Sequence, residues 1–320
     1  MVKNNFDNCY ISMKDNEFLC ANEEKEAVKF DIKKIYEEVK HTKEDLELID
    51  NTPVDVVIKY IDLSDPNLVR EGIPQIKKDE DNEELKYNVR GILKNIPWAR
   101  KIFIVMPNKK VRYFKDYELI KEKIVYVNDK ELLVFDSSSV YAFHFIFWKM
   151  KQYNMSSNFI LLDDDYFIGK PLNKSDFFYV DNGKVVPSIV AEGFSEYTLE
   201  SAQKTYQYFK ERIEDVQNTE DFLYSAYKSI LFILKIFGDP LIMPVFTHNA
   251  IPCNTEDIKE LYDIVYKSEY NLTTLFPIKR HIETLQFHIV YMGYVFNKYH
   301  RKAFPIPGNY IDAEKTIGNN

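Results

Sequence analysis

The chain has 320 residues, of which 45% are hydrophobic, 29% charged and 15% aromatic, a composition that supports a buried core and excludes a disordered chain. Acidic residues outnumber basic ones by 50 to 42, so the net charge is −8, and the basic surface typical of nucleic-acid-binding proteins is missing. Glycine occurs only 9 times and no G-x-G-x-x-G string is present, which argues against a glycine-rich dinucleotide site.

The first segment of the chain, residues 1–52, is predicted to be a helical extension. The apolar residues Val28, Ile32, Ile35 and Val39 follow one another at intervals of 4, 3 and 4 residues, which places them on one face of a helix. Residues 53–320 are predicted to form the main domain, with an α/β core at 53–197 and a mostly helical part at 198–320.

Short apolar runs in the α/β core predict four strands, at 54–61, 102–105, 124–127 and 159–162. Helix signals separate them, at 83–95 and from 136 to about 153. This alternation predicts βαβ units and a mainly parallel, Rossmann-like sheet. A hairpin is predicted around Asp181-Asn182-Gly183, and further helices are predicted at 199–216, 220–237, 256–266 and 281–299.

Cysteine usage and hydropathy bear on the cellular location. The three cysteines, Cys9, Cys20 and Cys253, fit neither a zinc ribbon nor a disulfide framework, so we expect a reducing compartment. The N-terminus lacks the apolar core of a signal peptide, and the most apolar stretches, 230–237 and 289–296, fall short of the ~20 residues that a membrane span needs. We therefore expect a soluble, cytoplasmic protein, with attachment to the inner face of the membrane as an alternative.

Two predicted strands run directly into carboxylates. The first is followed by Asp62 and Asp65, and the fourth by Asp163, Asp164 and Asp165. Ligands of open parallel sheets bind beyond the carboxyl ends of the strands. Three adjacent carboxylates repel one another, and a bound cation is the simplest compensation. Oxygen ligands without His or Cys favour Mg²⁺ or Mn²⁺, held either by Asp164 with Asp165 or by Asp163 with Asp165. The alternative is a solvated polar turn.

The motifs around these carboxylates resemble those of the Stealth family of sugar-1-phosphate transferases, which includes bacterial capsule polymerases and the animal lysosomal-enzyme N-acetylglucosamine-1-phosphotransferase. Residues 55–66, DVVIKYIDLSDP, are similar to the family's DVVYTWVDGSDP. A second block comprises 84–105, 135–137 and 162–172, and its last part, LDDDYFIGKPL, resembles the family's L-N-D-D-x-F-x-G-x-P-L. A weaker third block contains His248 with Pro252, and then residues 279–283.

The resemblance covers about residues 53–300 and implies both a fold and a reaction. The fold is Rossmann-like α/β. The reaction is the metal-dependent transfer of a hexose-1-phosphate, in particular N-acetylhexosamine-1-phosphate from a donor such as UDP-GlcNAc, to a hydroxyl of a polysaccharide or glycan acceptor, with release of UMP. No nucleic-acid partner is expected.

The resemblance also implies roles for individual residues. Mg²⁺ (or Mn²⁺) is assigned to Asp164 and Asp165, with Asp163 beside them. His248 is the candidate general base, because the ordinary pKa of histidine suits proton transfer near neutrality. Arg280 is the candidate phosphate clamp, because guanidinium matches phosphate bidentately. The residues expected to contact substrate are Asp62, Asp65, Arg90, Lys109 and Glu283. For Arg90 a structural ion pair with an aspartate is an equal alternative, and for Asp62 and Asp65 the alternative is ordering of their loop.

Two other functions stay open. One is a metal-dependent glycosyltransferase of the D-x-D type that releases UDP. The other is a binding homologue without activity, which is suggested by departures from the family pattern: Asp163 and Asp136 stand where the family has asparagine, and its short fourth block is not evident in residues 301–320.

Overall fold

The computed structural model describes residues 9–12, 17–20, 37–65, 83–107, 120–133, 135–190, 194–211, 219–244, 250–279, 282–300 and 302–304. The strands are β1 (Cys9–Ser12), β2 (Glu17–Cys20), β3 (Glu37–Glu38), β4 (Val54–Lys59), β5 (Ile102–Met106), β6 (Ile124–Asn128), β7 (Asn158–Leu162), β8 (Phe178–Asp181), β9 (Lys184–Pro187), β10 (Ile189–Val190), β11 (Phe194–Tyr197), β12 (Leu241–Pro244), β13 (Ile251–Asn254) and β14 (Lys302–Phe304). The α-helices are α1 (Lys43–Asn51), α2 (Glu84–Asn95), α3 (Val140–His144), α4 (Leu199–Lys210), α5 (Thr219–Phe237), α6 (Thr255–Tyr266), α7 (Asn271–Leu275) and α8 (Phe287–Lys298).

A five-stranded sheet with the order β13-β7-β4-β5-β6 forms the centre of the fold. Strands β7, β4, β5 and β6 run parallel to one another, and β13 is antiparallel to β7 at one edge. Every residue of β4, β5 and β7 is buried, as expected for parallel strands that are covered on both faces. The predicted Rossmann-like α/β fold with a mainly parallel sheet is therefore confirmed.

The two faces of the sheet have separate cores. On one face, Val56 and Ile58 of β4 pack with Leu85, Val89 and Ile92 of helix α2, which recur at helical intervals and so form one stripe. On the other face, Val57 of β4 lies in a larger core. That core includes Ile233 of α5, Leu261 of α6 and Val290 of α8. The helical C-terminal part thus covers the face of the sheet opposite α2.

The N-terminal segment differs from the predicted helical extension. Strands β1 and β2 form an antiparallel pair, β3 is a further short strand, and Val39 precedes α1. Helix α1 begins only at Lys43, because Thr42 caps it: the Thr42 hydroxyl accepts a hydrogen bond from the Asp45 amide, and the Asp45 side chain accepts one from the Thr42 amide. Residues 21–36, which include most of the predicted stripe, lie outside the described residues. The division of the chain at residue 52 stays a prediction.

The single helix predicted from 136 to about 153 is wrong. The structure has the short helix α3, followed by a 3-10 helix at Phe147–Tyr153. Phe143, Phe145 and Phe147 are all buried. All three lie in the larger core, the one that contains Val57.

The C-terminal part also contains strands that the sequence analysis did not predict. Strand β13 joins the central sheet through Ile251, which pairs with Leu161, and Pro252, which pairs with Ile160. It has four residues, and its proline is tolerated because β13 is an edge strand. Helix α8 begins at Phe287 rather than at 281, and residues 284–286, which precede it, are non-helical. None of the helices in the described ranges is long and apolar enough to cross a membrane.

Candidate functional site

The carboxyl edge of the central sheet collects the acidic turns. Strands β4 and β7 are neighbours, and Ile58 of β4 is in register with Leu162 of β7. The chain therefore leaves both strands at the same level of the sheet. The turn that contains Asp62 follows β4, and the turn that contains Asp163 follows β7. The structure thus brings the two predicted acidic turns to one edge, where ligands of such sheets bind.

Three of the predicted site residues cannot be placed at this edge. His248, Arg280 and Lys109 lie outside the described residues. Strand β13 begins at the same edge as the acidic turns, because Ile251 pairs with Leu161 near the end of β7. The roles assigned to His248, Arg280 and Lys109 stay predictions.

The turn after β7 concentrates negative charge. Asp163 and Asp164 are partly buried, and Asp165 is exposed. The pKa of the Asp164 carboxyl is raised to about 7, first by burial and then by the neighbouring charges of Asp165 and Asp163. An ionised carboxylate at this position is therefore costly unless a positive charge lies beside it.

This donor set fits a hard divalent cation. Carboxylate oxygens suit Mg²⁺ or Mn²⁺, and a cation would offset the repulsion within the turn. A group of three or more His, Cys, Asp or Glu side chains arranged to hold a metal ion is absent from the described ranges. Asp163, Asp164 and Asp165 are therefore not a preformed cage. Mg²⁺ does not require one, since it is usually held by one or two carboxylates together with water and substrate phosphates.

Helix α2 holds the backbone of this turn. Asn88 is fully buried, and its Nδ2 donates to the carbonyl oxygens of Asp163, at 2.8 Å, and Asp164, at 3.3 Å. Further along the same face of the helix, the Asn95 side chain donates to the carbonyl of Ile168. Sequence analysis did not single out either asparagine. The sequence feature that could have indicated them is that two polar residues stand at the buried positions of an amphipathic helix.

The rest of the loop is held in the same way. The Trp98 indole donates to the Leu172 carbonyl at 2.7 Å, and the Leu172 amide donates to the Asn95 carbonyl at 3.1 Å. Gly91 lies between the two asparagines, and a Cβ added there would approach the Ile168 carbonyl oxygen to 3.2 Å. We refer to Asn88, Gly91, Asn95 and Trp98 as the α2 clamp.

Replacing Gly91 with alanine is expected to destabilise the protein by about 1–3 kcal/mol, because the new methyl group forces the Ile168 backbone away from the helix. The result runs against intrinsic preference, since alanine favours a helix over glycine by about 1 kcal/mol. Urea unfolding measures the change. Gly169→Ala is the matched control in the same loop, since a Cβ there meets nothing within 4 Å. Equal stability of the two variants would contradict the close approach.

The turn after β4 is ordered by its own carboxylate. Asp62 Oδ1 accepts hydrogen bonds from the Ser64 amide, at 3.0 Å, and from the Ser64 hydroxyl, at 2.7 Å. The Asp65 amide donates to the Asp62 carbonyl at 3.1 Å. Of the two roles left open for Asp62, loop ordering is the one that these contacts show. Contact of Asp62 or Asp65 with a nucleotide stays a prediction.

No contact between Arg90 and the acidic turn is among the described contacts, and its role in binding substrate stays a prediction. Arg90 is exposed, and its guanidinium carbon lies 5.8 Å from the centroid of the Tyr87 ring. It is two residues from Asn88 and therefore on the other side of α2. The described contacts also do not include the ion pair between Arg90 and an aspartate that was the alternative role.

Glu283 takes part in a network within the C-terminal part. Its Oε1 accepts a hydrogen bond from the Tyr224 hydroxyl at 2.6 Å, and its Oε2 forms an ion pair with Lys228. The Lys228 ammonium also lies 5.0 Å from the centroid of the Tyr270 ring. These contacts fix Glu283 to helix α5, so its contact with substrate stays a prediction.

Hydrogen bonds attach separate parts of the sequence to one another near this network. The Ser225 hydroxyl donates to the Thr284 carbonyl at 2.6 Å, which fastens the segment after residue 281 to α5. The Ser137 hydroxyl donates to the Pro277 carbonyl at 2.6 Å, and the Ser138 amide donates to the Ile278 carbonyl at 2.8 Å. The middle part of the second sequence block, at 135–137, therefore lies next to the residues that precede 279–283 of the third block.

Comparison with known proteins shows a similarity to one family over part of the chain. Residues 78–186 match the family model "Stealth protein CR2, conserved region 2". The resemblance to the Stealth family is confirmed. The matched Stealth region contains α2, strands β5 to β7, the α2 clamp and the acidic turn.

Curated relatives share part of their length with this chain. The capsular polysaccharide phosphotransferase of Actinobacillus suis is 32% identical over an alignment of 190 residues that covers 48% of this chain and 49% of that protein. That of Haemophilus influenzae is 26% identical over 223 residues, 68% of this chain and 56% of that protein. The receptor polysaccharide phosphotransferase of Streptococcus oralis is 24% identical over 204 residues, 56% of this chain and 60% of that protein. The chain thus spans about half the length of the curated relatives it matches.

The Stealth region also contributes to a buried polar cluster under the carboxyl edge. Lys59, the last residue of β4, pairs with Asp129 at 3.2 Å, and its ammonium lies 4.7 Å from the centroid of the Phe143 ring. The His144 ring lies 5.2 Å from that of His288, centroid to centroid. Both ring nitrogens of His144 are buried without a hydrogen-bond partner. The signal for this cluster in the sequence was a lysine within a mostly apolar strand.

Replacing His144 with phenylalanine is expected to raise stability by about 1–3 kcal/mol at neutral pH, because two unsatisfied buried nitrogens are removed. Burial, with smaller effects of His288 and Lys59, lowers the pKa of His144 well below 6.5 in the folded protein. As the pH falls below about 6.5, the unfolded chain gains a proton that the folded protein does not, and the wild type loses up to about 1.4 kcal/mol per pH unit.

The phenylalanine variant lacks this titration, so its advantage should grow between pH 7.5 and 5.5. Urea unfolding across this range measures the difference, in which the titration of groups distant from His144 cancels. Parallel pH curves for the two proteins would contradict the prediction.

Proposed function

We propose that this protein is a phosphotransferase that moves a hexose-1-phosphate, in particular N-acetylhexosamine-1-phosphate from UDP-GlcNAc, to a hydroxyl of a polysaccharide or glycan acceptor and releases UMP. The observation that carries the proposal is the acidic turn Asp163–Asp165, which Asn88 of the matched region holds at the carboxyl edge of the sheet. The relatives are named as polysaccharide phosphotransferases, which supports the reaction class.

In this reaction the acceptor oxygen bonds to the β-phosphorus of the donor, and the bond between that phosphorus and the bridging oxygen breaks. UMP leaves with the bridging oxygen, and the acceptor hydroxyl gives up its proton. Such transfers depend on positioning and on neutralising the charge of the diphosphate. Bound Mg²⁺ or Mn²⁺ would supply that neutralisation, and Asp164 and Asp165, with Asp163 beside them, would hold the ion.

The other residues are assigned roles that the chemistry requires. The turn ordered by Asp62 would form the wall of the nucleotide site next to the acidic turn. His248 would accept the proton of the acceptor hydroxyl, and Arg280 and Lys109 would bind phosphate oxygens. A location in the cytoplasm, with the inner face of the membrane as the alternative, belongs to the same proposal.

The decisive experiment uses UDP-sugars labelled on the β-phosphate, over a panel of sugars and with polysaccharide fragments as acceptors. A phosphotransferase transfers the label to the acceptor and releases UMP. Label recovered only as UDP would identify a glycosyltransferase instead and overturn the proposal. If neither product forms and titration calorimetry detects no Mg²⁺-dependent binding of UDP-sugar, the protein is an inactive homologue.

A further inference from the structure

A neutral side chain, that of Asn88, contacts the backbone of the acidic turn. Asn88 is 0% exposed, and its single amide group donates to two successive carbonyls, those of Asp163 and Asp164. The Asn88 Oδ1 atom is buried without a hydrogen-bond partner. Burying an amide whose oxygen has no partner costs free energy. The amide nitrogen of the same side chain makes the two hydrogen bonds to the acidic turn.

The Asn88 contact fixes the position of the acidic turn without placing a charge beside it. Three consecutive carboxylates repel one another and would spread apart if the backbone between them were free. A lysine or arginine could hold them together, but it would neutralise the carboxylates and compete with a metal ion. The Asn88 amide holds the turn by its carbonyls instead. This contact therefore adds no positive charge beside the carboxylates and does not involve their oxygens.

We propose that Asn88 is a positioning residue of the cation site: it fixes the backbone at Asp163 and Asp164 so that the carboxylates of the turn can bind one divalent ion together. The inference deepens the proposed function, since it rests on the assignment of Mg²⁺ or Mn²⁺ to this turn. It differs from a purely structural role because it predicts an effect on cation affinity beyond the effect on stability.

The chain provides a matched control in Asn95. It lies on the same helix and is also buried, with 5% exposure. It likewise donates its amide to a carbonyl of the loop, at Ile168. Its contact is three residues beyond the last carboxylate of the turn. Asn88→Ala and Asn95→Ala therefore break the same kind of bond at different distances from the proposed cation.

The test measures Mn²⁺ binding by electron paramagnetic resonance, with Mn²⁺ alone and with Mn²⁺ plus UDP, and urea unfolding of the same variants. Both variants should show a lower urea midpoint. Asn88→Ala should weaken Mn²⁺ binding by about 10–100-fold, the usual effect of removing a partner that orients metal ligands, whereas Asn95→Ala should change it by less than about 3-fold. Equal effects of the two variants on Mn²⁺ binding would show that Asn88 is only structural and would overturn the inference.

A second measurement does not depend on the folding of a variant. In the ¹⁵N-asparagine-labelled wild type, the Asn88 side-chain amide resonance should shift on addition of Mg²⁺, with that of Asn95 as the internal reference. An Asn88 resonance that does not respond to Mg²⁺ would overturn the inference, as would a wild type that binds no Mn²⁺. If Asn88→Ala weakens Mn²⁺ binding as expected but the wild type leaves the label in UDP, the proposed function is refuted and the inference is retained.

Discussion

Replacing Asp164 with asparagine is expected to stabilise the metal-free protein at pH 8 and to lower Mg²⁺-dependent transfer by about 100-fold or more. Burial and the charges of Asp165 and Asp163 oppose ionisation of Asp164 and raise its pKa to about 7. The neutral amide relieves this repulsion. It also removes an anionic oxygen from the proposed cation site. Stability and activity should therefore change in opposite directions.

Urea unfolding in EDTA and in excess Mg²⁺ measures the first effect, and transfer of labelled phosphate measures the second. Mg²⁺ should stabilise the wild type, because a ligand that binds only the folded protein raises its stability, and should leave Asp164→Asn unchanged. Asp263→Asn makes the same charge change at an exposed carboxylate that pairs with Lys259, and we expect neither effect from it. A stable Asp164→Asn variant with full activity would exclude Asp164 from the cation site.

Replacing Lys59 with methionine is expected to cost about 3–5 kcal/mol of stability, because it removes the ammonium that pairs with a buried carboxylate. The side chains of Lys59 and Asp129 are only 3% and 0% exposed, so water cannot replace the lost charge. Lys151→Met is the matched control. Lys151 pairs with Glu256, and their side chains are 44% and 67% exposed, for which we expect a loss of about 0–1 kcal/mol.

Urea unfolding gives both values, and Lys59→Met combined with Asp129→Asn completes a double-mutant cycle. The double variant should recover part of the stability that Lys59→Met loses, because the side chains at positions 59 and 129 are then both neutral and no buried charge is left unpaired. If Lys59→Met and Lys151→Met cost the same, the Lys59–Asp129 pair does not contribute as a buried ion pair.

The central sheet could be predicted from sequence because parallel strands covered on both faces are continuous apolar runs. The runs at 54–61, 102–105, 124–127 and 159–162 became β4, β5, β6 and β7. The helix predicted at 83–95 became α2, Glu84–Asn95. The prediction was wrong from 136 to about 153, where the segment divides into the short helix α3 and a 3-10 helix within the larger core.

Strand β13 shows why the remainder of the sheet could not be predicted. Its four residues include Pro252, and no local preference marks them as a strand. They become one because β7 offers its free edge, and that pairing joins residues about 90 positions apart in the chain.

The candidate site divides in the same way. The carboxylates of the two acidic turns could be identified because strand ends and residue types are local features of the sequence. Asn88 could not, because its role depends on a carbonyl 75 positions away. Arg90 was assigned by its place in a motif. In the structure it is exposed and lies against the Tyr87 ring, so its role in binding substrate stays a prediction.

The sequence by itself determined the α/β class, the acidic residues that follow β4 and β7, and the motifs that lead to the Stealth family. These depend on the order and periodicity of residues that are close in the chain. Only the tertiary structure decided that one face of α2 fixes the loop after β7, that β13 closes the edge of the sheet, and that Lys59 meets Asp129 beneath the site. Each of these is a contact between residues distant in sequence, which forms only when burial of the core brings their elements together.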